Sequence, residues 1–213
     1  MKRSKLHRGI SSSVPLLFTP GPLTTSPTVK SAMQVDLGSR DPAFIRVVSE
    51  ILRELLKLGG VCSPSHECVL TPGSGTFGVE SVLGSTVPMN GKLLVGVNGS
   101  YGERMVKIAQ MLNIPLANPV LFPEDRAVNV DSLLSAAATD PSITSVAVVH
   151  HETTAGVLND IHSIGLGLSR LPHKPTFIVD SMSAFGKFFC ALDRHPALLA
   201  NPQQNTPLLH VFS

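Results

Sequence analysis

"SITSVAVVHHETTAGVLNDIHSIGLGLSRLPHKPTFIVD", residues 142–180, contains two short apolar runs, 146–149 and 177–179, separated by an amphipathic stretch at 160–171. Runs of this length without polar alternation match strands buried on both faces, and the intervening stretch is long enough for a helix. A strand, a helix and a second strand in this order form the repeating unit of a parallel sheet. Outward from this unit the alternation recurs. Upstream come 68–70 with 76–87, 92–98 with 101–112, and 119–122 with 130–138, each an apolar run followed by an amphipathic stretch. Five strands separated by four helices predict an α/β domain built on a mostly parallel sheet.

Ligands in such sheets bind beyond the carboxyl ends of the strands. Those ends are "TPGSGT" (71–76), "NGSYG" (98–102), "HHETTAG" (150–156) and Asp180, and the topology predicts that they share one cleft. Ser74, Gly75 and Thr76 stand between a strand and a helix. There, free N–H groups and hydroxyls can face an anion, or Ser or Thr can simply cap the helix. Tyr101, the single tyrosine in a chain without tryptophan, can stack on a heteroaromatic ring or pack against its own helix. Thr153 offers a hydroxyl or forms a turn, and Asp180 offers either a carboxylate or a cap. His150 and His151 are adjacent in a strand and so face opposite ways, which argues against a shared metal. A phosphate cup, an aromatic plate, a hydroxyl and an acid at neighbouring strand ends are the groups that pyridoxal phosphate needs.

The 213 residues are 43% hydrophobic and 15% charged, enough for a filled core, and no apolar stretch approaches the roughly 20 residues of a membrane helix. The formal net charge of +2 becomes −2 once Lys2, Arg3, Lys5 and Arg8 are set aside, so nothing recommends a nucleic-acid partner. Residues 1–14 read as a basic, serine-rich, acid-free arm. That composition is shared with mitochondrial transit peptides, but a solvated tail on a cytoplasmic protein is the expectation. Cys62, Cys68 and Cys190 lack CxxC spacing and are expected to be reduced, with no zinc and no disulfide framework. In the segment 16–29, Pro20, Gly21, Pro22 and Pro27 predict extended chain. After it Asp41, Pro42 and Gly59 bracket a strong helix, with Phe44, Val48, Ile51, Leu55 and Leu58 forming one apolar stripe for a core or a subunit contact.

The stretches "LLFTPGPLTTSPTVKSAM", "GSGTFGVESVLGS", "VNGSYGERMVKIA", "SVAVVHHETTAGVLNDI" and "FIVDSMSAFG", in this order, resemble the class V aminotransferases, and within them the 2-aminoethylphosphonate–pyruvate transaminases. The resemblance runs from about Leu16 to Gly186. It implies part of the large domain of a fold-type I pyridoxal-phosphate enzyme over residues 15–186, normally homodimeric. It also implies transfer of the amino group of 2-aminoethylphosphonate to pyruvate, giving phosphonoacetaldehyde and alanine. Carried over, Ser74, Gly75 and Thr76 would hold the cofactor phosphate, Tyr101 would stack on its ring, Thr153 would reach its phenolic oxygen and Asp180 would pair with the ring nitrogen. Gly21 would line the substrate end and Arg40 would meet an anionic group.

The family's chemistry also needs a lysine that bonds the cofactor, expected about 20 to 30 residues beyond the aspartate by ordinary element lengths. That window holds no lysine, and Lys187 lies too soon after Asp180. Residues 187–213 do not resemble the family, and their three prolines predict a loose tail. The expectation is a truncated, inactive relative without the small domain. The alternatives are another class V enzyme, of alanine–glyoxylate or serine–pyruvate type, and a non-catalytic fragment that pairs with an intact subunit.

Overall fold

The computed structural model describes residues 16–19 and 23–186, together with the backbone of residues 208–211. Its centre is a five-stranded parallel sheet in the order β2-β1-β3-β6-β7, with β1 Lys92–Val97, β2 Val120–Leu121, β3 Ile143–Val149, β6 Thr176–Asp180 and β7 Leu208–Val211. A two-stranded antiparallel ribbon, β4 His151–Glu152 and β5 Val157–Leu158, follows β3 directly.

Alternate residues of each central strand serve two separate cores, the arrangement expected of a parallel sheet covered on both faces. On one face Leu93, Val95 and Val97 of β1, Ala147 and Val149 of β3 and Ile178 of β6 meet helices α3 (Gly75–Thr86) and α4 (Ser100–Met111). These supply Val79, Leu83, Met105, Ile108 and Ala109. On the other face Leu94, Val146, Val148, Phe177 and Val179 meet Leu133 and Ala137 of α5 (Val130–Thr139) and Ile164 and Leu168 of α6 (Ile161–Ser169). The apolar runs that announced the strands are therefore the two cores, read in alternation.

Helix α2 spans Pro42–Leu58, as the sequence predicts, with the Asp41 carboxylate accepting from Ala43 N–H and Gly59 at the C-cap. It contributes no buried residue to either core. Three expectations fail. Residues 68–70 form no strand and Val69 is 81% exposed; no described strand lies beside them, and an unpaired strand gains nothing from the ladder. Pro27 opens a short helix, α1 Pro27–Ala32, instead of preventing one, because proline at the first helical position gives up only an N–H that would have had no partner. In the tail, Leu208–Val211 joins the sheet parallel to β6, with Asp180 opposite Val211. Its prolines precede the strand, and an apolar run beside an open edge satisfies hydrogen-bonding groups that β6 would otherwise leave unpaired. The remainder of 187–213, including Lys187 and Cys190, lies outside the described residues, as does the whole of the 1–14 arm. Among the described residues no helix is long and apolar enough to cross a membrane.

Candidate functional site

The register between β3 and β6 sets Val149 level with Asp180, and the chain's next N–H, that of His150, donates to the Asp180 carbonyl at 2.8 Å. The sheet thus delivers Asp180 to the same edge as the 150–156 segment. The end of β1 is tied to that edge by a reciprocal amide pair. Asn98 Nδ2 donates to Asn159 Oδ1 and Asn159 Nδ2 donates to Asn98 Oδ1, both at 3.0 Å, while Asn159 also donates to the Val149 carbonyl at 2.8 Å. Both amides are buried with their capacity largely used, so the pair fixes where three strand ends sit.

Two helices open toward this edge, and their N-termini are finished differently. Gly73, at φ +152°, turns the chain into α3, and a side chain there would strike the Phe77 ring. Ser74 is the N-cap, its Oγ accepting from Phe77 N–H at 3.4 Å. The N–H groups of Gly75 and Thr76 have no acceptor among the described residues, which leaves the positive end of α3 open. Helix α4 starts at Gly99, which has no side chain to cap with. Its capping comes from the β4–β5 ribbon: Glu152 Oε2 accepts from Tyr101 N–H at 3.1 Å and Gly102 N–H at 3.3 Å. Thr154 Oγ1 accepts from Ser100 N–H at 3.4 Å and donates to Glu152 Oε1 at 2.7 Å.

Thr76, Tyr101, Arg104, Asp180 and Met182 line one narrow cleft of about 20 Å³ over an apolar floor of Val79, Met105 and Ile108. The Arg104 guanidinium lies over the Tyr101 ring, 4.9 Å from its centroid, and donates to Thr76 Oγ1 at 3.4 Å. Asp180 is 7% exposed, and its Oδ1 accepts from Met182 N–H at 3.0 Å. Burial raises its carboxyl above the usual range. The Met182 hydrogen bond works against this, the Glu152 charge adds to it, and Arg104 offsets part of it. Neighbouring His150 is also buried, and burial, aided by the charge of His151, pushes its imidazole down to about 4, so it is neutral at physiological pH.

Of the residues singled out in the sequence, Thr76, Tyr101 and Asp180 stand in the cleft, and Ser74 and Gly75 stand at its edge. Met182 lies directly against Gly75, where any added Cβ would overlap its Sδ. Thr153 sits half-buried in the turn between β4 and β5 and is not among the lining residues. Arg40 is exposed in the turn before α2, away from the cleft lining, and Gly21 lies outside the described residues. Sequence reasoning missed Arg104, Glu152 and Met182. The i, i+3 spacing of Tyr101 and Arg104 on one helix was the available signal for the first. Glu152 and Met182 act on residues distant in the chain and gave none.

No family model matches the chain. Its sequence is 44% identical over 177 residues to a 2-aminoethylphosphonate–pyruvate transaminase of Pseudomonas putida, an alignment covering 82% of this chain and 46% of that protein. It is 44% identical over 176 residues to one of Pseudomonas aeruginosa, covering 81% and 45%. Among solved structures it is similar to an alanine–glyoxylate aminotransferase from Nostoc sp., at 27% identity and TM-score 0.76 over 90% of this chain and 49% of that one. It shares its fold with a pyridoxamine–pyruvate aminotransferase from Mesorhizobium loti, at 23% identity and TM-score 0.73 over 92% and 46%. The chain spans about half the length of the curated relatives it matches.

Proposed function

We propose that this chain, a relative of the 2-aminoethylphosphonate–pyruvate transaminases with the fold of the fold-type I aminotransferases over about half their length, carries a pyridoxal-phosphate site in the cleft beneath Tyr101. One observation carries the reading: a nearly buried carboxylate, Asp180, shares a single cleft with an aromatic ring and with an open helix N-terminus. The donor set fits the cofactor. The N–H groups of Gly75 and Thr76, which have no acceptor among the described residues, together with the hydroxyls of Ser74 and Thr76, suit a phosphate. The Tyr101 face suits a pyridine ring, and the Thr153 hydroxyl, in the β4–β5 turn, is the donor proposed for a phenolic oxygen. Asp180, whose charge is favoured among the described residues by the Met182 N–H and the nearby Arg104 against the cost of burial, gains from a protonated ring nitrogen. When bound, the cofactor supplies the electron sink for amino-group transfer.

The cleft encloses about 20 Å³, room for about one water. A pyridine ring therefore enters only once the walls, Arg104 and Met182 among them, move apart. The window about 20 to 30 residues beyond Asp180 holds no lysine, and in this reading the cleft residues hold the cofactor by charge, stacking and hydrogen bonds. The substrates proposed for the family site are 2-aminoethylphosphonate and pyruvate, with Arg40 and the segment around Gly21 at the substrate end. We further propose that a second copy of the chain, or an intact subunit, covers α2.

The test is to titrate the purified chain with pyridoxal phosphate, then reduce with borohydride and map the peptides. The expected result is saturable binding without covalent label and no alanine formed from 2-aminoethylphosphonate and pyruvate. Stoichiometric labelling of Lys187 together with alanine formation overturns the non-covalent reading. Alanine–glyoxylate transfer, suggested by the Nostoc likeness, is separated by substituting alanine and glyoxylate in the same assay.

A further inference from the structure

Glu152 has no exposed surface, yet it is a carboxylate. A buried anion is tolerated when it is hydrogen-bonded, and Glu152 accepts three such bonds, two of them from the first turn of α4. One of those two donors is the backbone of Tyr101 itself. Gly99 leaves the room this requires: a Cβ there would lie 2.3 Å from Glu152 Cγ. The ribbon β4–β5 therefore clamps the residue whose ring forms the cleft wall. It also cancels one of the two helix N-termini that face the strand ends. An incoming anion meets a carboxylate at α4 and, at α3, N–H groups with no acceptor among the described residues.

We propose that Glu152 is a positioning residue: it fixes the ring of Tyr101 at the cleft wall and, by closing the N-terminus of α4, leaves that of α3 to receive the ligand's anion. The orientation of a ligand carrying both a ring and a phosphate then follows, ring on Tyr101 and phosphate on α3. The part that concerns the ligand rests on the reading of the cleft as a pyridoxal-phosphate site; the fixing of Tyr101 does not.

Tyr101 is the only tyrosine and tryptophan is absent, so intrinsic emission of the full chain reports on this ring alone. The experiment compares acrylamide quenching of that emission in the wild-type chain, Glu152→Ala, Glu152→Gln and Glu152→Asp, each checked for folding by circular dichroism. Glu152→Ala is expected to raise the quenching constant about twofold, and Glu152→Gln, which keeps an acceptor for the α4 N–H groups, to restore it. With pyridoxal phosphate as probe, Glu152→Ala is expected to bind about tenfold more weakly, and inorganic phosphate, silent on wild-type emission, to perturb Tyr101 in that variant. If Glu152→Ala does not fold, Glu152→Asp decides, its shorter carboxylate withdrawing from Tyr101 N–H and raising the quenching constant. A wild-type quenching constant in the folded Ala or Asp variant, or failure of Gln to restore it, overturns the proposal. Absence of any pyridoxal phosphate effect on the wild-type chain, with the acrylamide differences intact, overturns the cofactor reading and leaves the positioning of Tyr101 standing.

Discussion

Burial opposes the ionisation of Asp180. With its carboxyl held above the usual range, the folded chain binds a proton more readily than the unfolded one. Its contribution to stability is therefore present below the unfolded value near 4 and is lost as pH rises through the folded value. Asp180→Asn removes that loss. At pH 7.5 the variant is expected to melt about 2 to 4 °C above the wild-type chain, for a gain on the order of 1 kcal/mol, with the difference vanishing toward pH 4. Pyridoxal phosphate affinity should fall in the same variant. Differential scanning fluorimetry across pH, beside a binding titration, checks both; a lower melting temperature with unchanged affinity would show Asp180 to be a structural cap. The residue type and its place after an apolar run were legible in the sequence. Its burial and its interaction with Glu152 were not, because they depend on which strand ends lie side by side.

The first turn of α3 separates two effects within one element. Ser74→Ala removes the N-cap acceptor and is expected to cost about 1 kcal/mol of stability in urea melts. Gly75→Ala acts through the cleft, since the new methyl meets the far end of the Met182 side chain, which can move. The expected outcome is a change in stability of less than about 1 kcal/mol with a clear loss of pyridoxal phosphate affinity as Met182 swings into the cleft. Adding Met182→Ala should restore affinity, and failure of that rescue would place the effect in the backbone. The strand-to-helix turn at 71–76 could be read from its glycines and hydroxyls. The contact of Gly75 with Met182 could not, because it joins segments far apart in the chain.

At the scale of the whole molecule, α2 is an amphipathic helix with no buried residue. Of the stripe expected to meet a core or a subunit contact, Val48 and Leu55 are half-buried while Phe44, Ile51 and Leu58 are exposed. Ile45 is 52% exposed, and Phe44, Val47, Ile51 and Leu58 are also exposed. An apolar face of this extent on a monomer marks a contact surface or an aggregation hazard. Sedimentation velocity is expected to show association that grows with concentration in the micromolar range. Ile45→Glu with Ile51→Glu should return the chain to monomer without altering the melt of the sheet, since neither residue enters its cores. A concentration-independent monomer in the wild-type chain would leave α2 without the proposed partner.

The sequence by itself determined the α/β alternation, four of the five expected strands, the limits of α2 and the residue types at the strand ends, because these follow from local periodicity, caps and turn chemistry. The tertiary structure decided which of those ends meet. The two failures that concern strands share one physical cause, that a strand exists only beside another. Residues 68–70 have no strand beside them among the described residues and stayed irregular, whereas residues 208–211 found the edge of β6 and became β7. The same dependence on neighbours governs the cleft. Asp180 is desolvated, Tyr101 is clamped by Glu152 and Met182 lies against Gly75 because parallel pairing of β1, β3 and β6 brings their carboxyl ends to one edge, and no local feature of the chain specifies that pairing.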